Sequence, residues 1–174
     1  MDGSVLKDKI GQKRPKISSI YYQPNGNKLA NLLSRVGQNA GKGEFATFGP
    51  VYETYMYAFI IGYKLGTPKF FEKGESTEQF NNFVDWKPTS VRDFILMLLL
   101  NDTEKYNIPF SWLELENANE ETIENFISEL FRQMEGYANA GFEYLQGKWD
   151  KEKIEFQDPF VFVNFLEELN YYNR

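Results

Sequence analysis

The 174-residue chain contains no cysteine and no histidine. Without cysteine there is no disulfide framework and no thiolate nucleophile. Without either residue an ordinary structural zinc site lacks its ligands. A Ser-His-Asp triad and a Cys-His dyad are both excluded, and no imidazole serves as general base or pH switch. An oxygen-only Mg²⁺ or Ca²⁺ site stays open, because aspartate and glutamate are plentiful. Long apolar runs are also missing. The longest, Phe94 to Leu100, falls far short of the roughly 20 residues a membrane-spanning helix needs. The opening MDGSVLKDKIGQKRPK has no apolar signal-peptide core, so a cytoplasmic protein with no membrane association is expected.

What the chain has is apolar and aromatic. Hydrophobic residues make up 42% and aromatics 17%, with 16 Phe and 11 Tyr. That composition favours a packed core over disorder, and the length suits one domain. Charge is unevenly spread. Residues 1–43 carry eight basic side chains against two acidic ones, a surplus of six positive charges. Residues 44–174 carry 11 basic and 23 acidic side chains, a surplus of 12 negative charges, which together give the net −6. The organisation read from this is a basic N-terminal arm, 1–26, on a single helical domain, 27–174. The arm either contacts phosphate or an acidic partner, or is a solvated segment lying on the protein's own acidic surface.

Hydrophobic periodicity predicts an all-α or mainly-α bundle of about five helices. Leu29, Leu32, Leu33 and Val36 share a face from Asn27 to Val36, with Asn27 as N-cap and Gly37 as C′ residue. A glycine-rich loop follows at 38–43. A second helix runs from about Pro50 to Leu65, apolar nearly all round and stopped by Gly66; Gly62 within it points to a close neighbour. Residues 69–87 read as an irregular aromatic connection, with a short strand or hairpin between 67 and 88. A third helix, capped by Thr89 or Ser90, covers Val91 to Leu100. Ile108-Pro109 blocks helix in the next stretch, where Trp112-Leu113 reads as an anchor. The longest helix is expected from Glu120 to Gln146, capped by Asn119 and closed by Gly147. Ile123, Ile127, Leu130, Met134, Tyr137, Gly141 and Leu145 form its stripe, widened by Phe126, Phe131 and Phe142. A last helix starts after Asp158-Pro159 and ends near Asn170.

Four groups of residues are candidates for chemistry. Glu114, Glu116, Glu120, Glu121 and Glu124 could pair as acid and base or hold a divalent metal, but acids are also favourable at a helix start. Glu53 lies beside Tyr55 and Tyr57 in an apolar helix, where it either titrates high or points outward near the helix start. Gly41-Lys42-Gly43 lacks the Ser or Thr and the preceding strand of a phosphate-binding loop. Tyr21-Tyr22 and Tyr171-Tyr172 fit a protein interface better than base stacking.

Two stretches carry a resemblance. One is Phe45 to Gly66, FATFGPVYETYMYAFIIGYKLG; the other is Glu135 to Leu145, EGYANAGFEYL. Together with Lys13-Arg14-Pro15-Lys16 they resemble a family of small prokaryotic proteins associated with DNA-phosphorothioation (Dnd) systems. The second stretch matches at Glu135, Tyr137, Ala138, Asn139, Gly141, Glu143 and Leu145, and departs at Ala140, where the family phrase has glycine. The resemblance spans about residues 13 to 170 and names no catalytic residue. It implies an accessory component of DNA-modification-linked phage defence, with other subunits of such a system, or a second copy of the chain, as partners.

The leading expectation is therefore a non-enzymatic interaction protein with no cofactor. Tyr137, Asn139, Gly141 and Glu143 are the partner-contact candidates; equally, they are buried groups that fix a helix crossing. The first alternative is nucleic-acid binding through Lys7, Lys9, Lys13, Arg14 and Lys16, with DNA possible but not favoured. The second is a carboxylate- and Mg²⁺-dependent enzyme.

Overall fold

The computed structural model describes residues 3–35, 43–101, 115 and 117–172. Six α-helices lie among them: α1 (Gly3–Gln12), α2 (Leu29–Leu32), α3 (Val51–Leu65), α4 (Thr89–Asn101), α5 (Glu120–Glu152) and α6 (Val161–Tyr172). Two short strands, β1 (Lys16–Ser18) and β2 (Thr77–Gln79), and 3-10 turns at Phe83–Asp85 and Lys153–Gln157 complete it. The chain is mainly α-helical, as its periodicity predicts. Among the described residues no helix is long and apolar enough to cross a membrane.

Helix ends have local causes. Pro50 sits just outside α3, at the cap, and the Glu53 carboxylate folds back to accept from Gly49 N–H at 2.9 Å. Gly66 ends α3 with φ of 81°, a left-handed conformation that costs glycine little. Asn119 caps α5 through its side-chain oxygen, which accepts from Thr122 N–H at 2.8 Å. Asp158 opens the last helix by accepting from Phe160 N–H and from the Asn164 amide.

Four expectations need correction. Thr89 and Ser90 do not cap the third helix but lie inside it, since α4 begins at Thr89. The helix read from Asn27 to Val36 shrinks to Leu29–Leu32, with Lys28 and not Asn27 at its N-cap. The chain leaves the helix because Ser34 pairs with Phe48 in a parallel bridge, and Arg35 N–H turns to the Phe48 and Gly49 carbonyls. Gly147 does not end the long helix, which continues to Glu152. Beyond Gly147, Lys148 ties to Glu152 and Glu168, and Trp149 packs against Phe45 and Phe156, so tertiary contacts carry the helix past the glycine. The sheet is not a hairpin within 67–88. β2 pairs antiparallel with β1, Ile17 opposite Glu78, so its partner comes from the N-terminal stretch. Val36, Gly37, the glycine-rich loop up to Lys42, Ile108-Pro109, Trp112-Leu113, Glu114 and Glu116 lie outside the described residues.

The core is built on the α3–α5 crossing. A Cβ placed on Gly62 would land on the Tyr137 carbonyl, and one placed on Gly141 would land on the Ala58 carbonyl. The two backbones touch, and only glycine permits that. Around the crossing, Tyr55 meets Phe80, Trp86 and Phe142 edge to face, and Trp86 is fully buried.

The stretch read as an arm packs on this core. Ile10 and Ile17 are buried. Phe80 N–H bonds to Pro15 O, Phe83 N–H to Lys13 O, and Ser19 N–H to Ser76 O, so residues 13–19 are stitched along 76–83.

Candidate functional site

The Glu135 to Leu145 segment of α5 touches β1, α3, the Ile20-Tyr21 turn and the loop after α3. The Glu135 carboxylate accepts from Lys16 N–H at 2.9 Å, holding the start of β1. Gly136 leaves room for Pro68 and Phe70, and its carbonyl accepts from Lys69 N–H at 2.9 Å. Tyr137 packs edge-on to Phe59 and Tyr63 of α3. Asn139 donates through Nδ2 to the Lys69 carbonyl at 3.0 Å. Gly141 lies against Ala58, and Phe142 stacks on Tyr21 with centroids 5.5 Å apart. Glu143 forms a 2.5 Å ion pair with Lys69. Asn139 and Glu143, one helical turn apart, therefore grip the same loop residue.

That loop closes a surface cavity of about 370 Å³, lined by residues of the Ile20-Tyr21 turn, Asn139 and the segment from Lys69 to Glu75. Two of the lining residues are buried: Tyr21, and Asn139 at only 5% exposed. The Asn139 Oδ1 is buried and has no hydrogen-bond partner. Its orientation is fixed, because the Lys69 carbonyl can only accept and must face Nδ2. Two lining residues are exposed hydrophobics: Ile20 at 64% and Phe70 at 37%. The guanidinium of Arg132 lies 3.9 Å from the centroid of the Phe70 ring.

Electrostatics here follow burial. Removal from water pushes the Glu135 carboxyl up to about 7, partly offset by the Lys16 N–H and the Lys16 charge. Burial, and then the charge of Glu135, raise the Tyr55 phenol well above its ordinary value. The Tyr55 hydroxyl, like Asn139 Oδ1, has no partner.

The basic candidates are placed differently. Lys9 reaches Glu120 at 3.0 Å and Glu124 at 2.8 Å, and Lys13 reaches Glu124 at 3.1 Å. Hydrogen bonds from these two lysines hold the Glu124 carboxyl below its ordinary range. Arg14 Nε donates to the Phe80 carbonyl at 2.7 Å. Lys7 and Lys16 are exposed. The basic stretch and the acidic start of α5 thus meet each other, and Lys9 and Lys13 already have carboxylate partners. Among the described residues no three His, Cys, Asp or Glu side chains converge as a metal site.

Of the partner-contact candidates, the structure brings Asn139 and Glu143 together at the loop and places Tyr137 and Gly141 in the α3 crossing. Tyr21 lies under the loop, and Tyr22 is half-buried against Phe80. Ile20, Phe70, Glu72 and Glu75 were not singled out by sequence reasoning, although Lys69 to Lys87 stood out as aromatic-rich. The available signal was the Asn139/Glu143 pair, which shows a face in need of a partner and not which segment provides it.

A second cavity, of about 420 Å³, lies between the end of α5 and α6, among Lys148, Glu152, Asp158, Phe165 and Glu168. Lys148 bridges Glu152 at 3.3 Å and Glu168 at 2.9 Å, and Asp158 caps the helix, so its central charges are already engaged.

No family model matches the chain, and neither a curated protein nor a solved structure matches it.

Proposed function

We propose that the protein is a non-enzymatic interaction module, an accessory subunit of the DNA-modification-linked defence systems that its Glu135 to Leu145 phrase resembles. One observation carries the interaction reading. The surface cavity over Asn139 combines two exposed apolar residues, Ile20 and Phe70, with a buried acceptor that no protein donor reaches. A concave site with an apolar lining and a few polar groups is the general anatomy of a binding site. The polar residues of the resembling phrase shape this surface from within: Glu135, Asn139 and Glu143 hold backbone and loop in place.

Co-expression with the products of neighbouring genes, followed by affinity capture and light scattering, tests the proposal. A defined complex or a defined oligomer is expected, lost on Ile20→Asp, an exposed position whose change leaves the core untouched. A protein that neither self-associates nor captures any neighbouring product would overturn it.

A further inference from the structure

We propose that the outward face of α6, together with the cavity beside it, is a docking surface for a cationic amphipathic helix of a protein partner. The face is a helical stripe. Phe160, Val163, Asn164, Glu167 and Asn170 recur at i, i+3, i+4, i+7 and i+10, and all are exposed. Its first turn is apolar. Phe160 is 66% and Val163 52% exposed, and Ile154 on the preceding 3-10 turn is 75% exposed. These are three of the four most exposed large hydrophobics among the described residues. Its second half is acidic: α6 carries Glu167 and Glu168 and no basic residue. Asn164 belongs both to the stripe and to the cavity of about 420 Å³ between α5 and α6, which joins the two into one surface.

Charge selects the occupant. The described lining of that cavity holds four carboxylates, on Glu152, Glu155, Asp158 and Glu168, against the single lysine Lys148. Lys148 is committed to Glu152 and Glu168. Lys153, beside Ile154 in the chain, holds its ammonium over the Phe45 and Trp149 rings, 5.2 and 5.0 Å from their centroids. The whole stretch 148–168 carries six acidic and three basic side chains. A nucleic acid or an anionic membrane meets repulsion here. A wholly apolar partner would strip water from carboxylates without replacing it. A helix whose cations flank an apolar seam satisfies both halves of the stripe, at the spacing the stripe itself has. This surface shares no lining residue with the cavity over Asn139, so it is a second contact face.

The test is an NMR titration of the isotope-labelled full chain with a peptide of repeated Lys-Leu-Ala-Lys units, amphipathic as a helix. A Lys-Ala-Ala-Lys peptide, of the same charge without the leucines, and a Glu-Leu-Ala-Glu peptide are run in parallel. The Lys-Leu-Ala-Lys peptide is expected to shift the amides of 152–168 saturably, with Kd on the order of 10 μM. Loss of the leucines should weaken binding about tenfold, and reversal of the charge should abolish it. Phe160→Ser/Val163→Ser and Glu155→Gln/Glu167→Gln, altered only at exposed positions, should each weaken the peptide by about tenfold. Ile20→Asp should leave its binding unchanged, so the outcome is separate from the partner capture that tests the module reading. No saturable shift at 152–168, shifts centred on Glu120 to Glu124 instead, equal binding of either control peptide, or parent-like binding by either double variant would each overturn the proposal. So would self-association of the free chain through these same residues, which would make a second copy the occupant.

Discussion

The two halves of α5 obey different rules. From Glu120 to Met134 the helix is amphipathic: Ile123, Phe126, Ile127, Leu130 and Phe131 are buried, while Glu121, Asn125 and Ser128 are exposed. One face meets the core and the other meets water, apart from the carboxylates that Lys9 and Lys13 reach across to. From Gly136 to Phe142 seven consecutive residues are buried. There α3 covers one side, β1 another, and the 66–76 loop a third. A helix surrounded in this way has no polar face to give to solvent, so its polar residues must find partners inside the protein. Small residues allow backbones to approach, and Glu135, Asn139 and Glu143 use their side chains as fasteners.

The sharpest way to break this comparison is to place the same substitution in both environments. Gly141→Ala forces a Cβ onto the Ala58 carbonyl and should destabilise the fold by at least about 3 kcal/mol. Gly147→Ala, later in the same helix with nothing within reach of the new methyl, should stabilise by about 0.5–1 kcal/mol. Urea unfolding of both variants checks the pair, and effects of like sign would show that the crossing is not a backbone contact.

Glu135 gives the next effect. Its carboxyl is raised from 4.5 to about 7, so between those values the folded chain holds a proton the unfolded chain has released. Stability therefore falls as pH rises through that window, by an upper bound of about 3 kcal/mol before solvent screening is counted. Glu135→Gln keeps an acceptor for Lys16 N–H and removes the buried charge. It should be more stable than the parent near pH 8, with the gain vanishing towards pH 4. An equal gain at both pH values would show that the carboxyl is not desolvated.

The smallest effect is expected at the Lys69–Glu143 pair. Both side chains are about half exposed, at 49% and 57%, so Glu143→Gln should cost no more than about 0.5 kcal/mol and less at high salt. Thermal unfolding at low and high salt reads this directly; a salt-independent loss would mean that Glu143 acts by packing.

The same contrast explains what could be read from the sequence. Periodicity locates α4, α6 and the first half of α5 because each shows one buried face, α3 is legible as an apolar run between Pro50 and Gly66, and Asn119, Gly66 and Asp158 mark ends through local hydrogen bonds or left-handed backbone. It fails where distant segments decide. Ser34 leaves its helix for Phe48, and β2 pairs with β1 across the chain, which neither strand's own residues foretell. The helix runs through Gly147 because Lys148 and Trp149 find partners far along the sequence. At the candidate site, Asn139 and Glu143 are recognisable as a pair on one face, but the loop they hold is set by the fold.

The central claim is that the buried half of α5 fastens the 66–76 loop over the cavity independently of the helix crossing. Amide hydrogen exchange on Asn139→Ala tests it most directly. Faster exchange at Lys69 and Glu75, with Tyr137 and Gly141 protected as before, is the predicted result. Uniform loss of protection along α5, or an unchanged Lys69 amide, would contradict it.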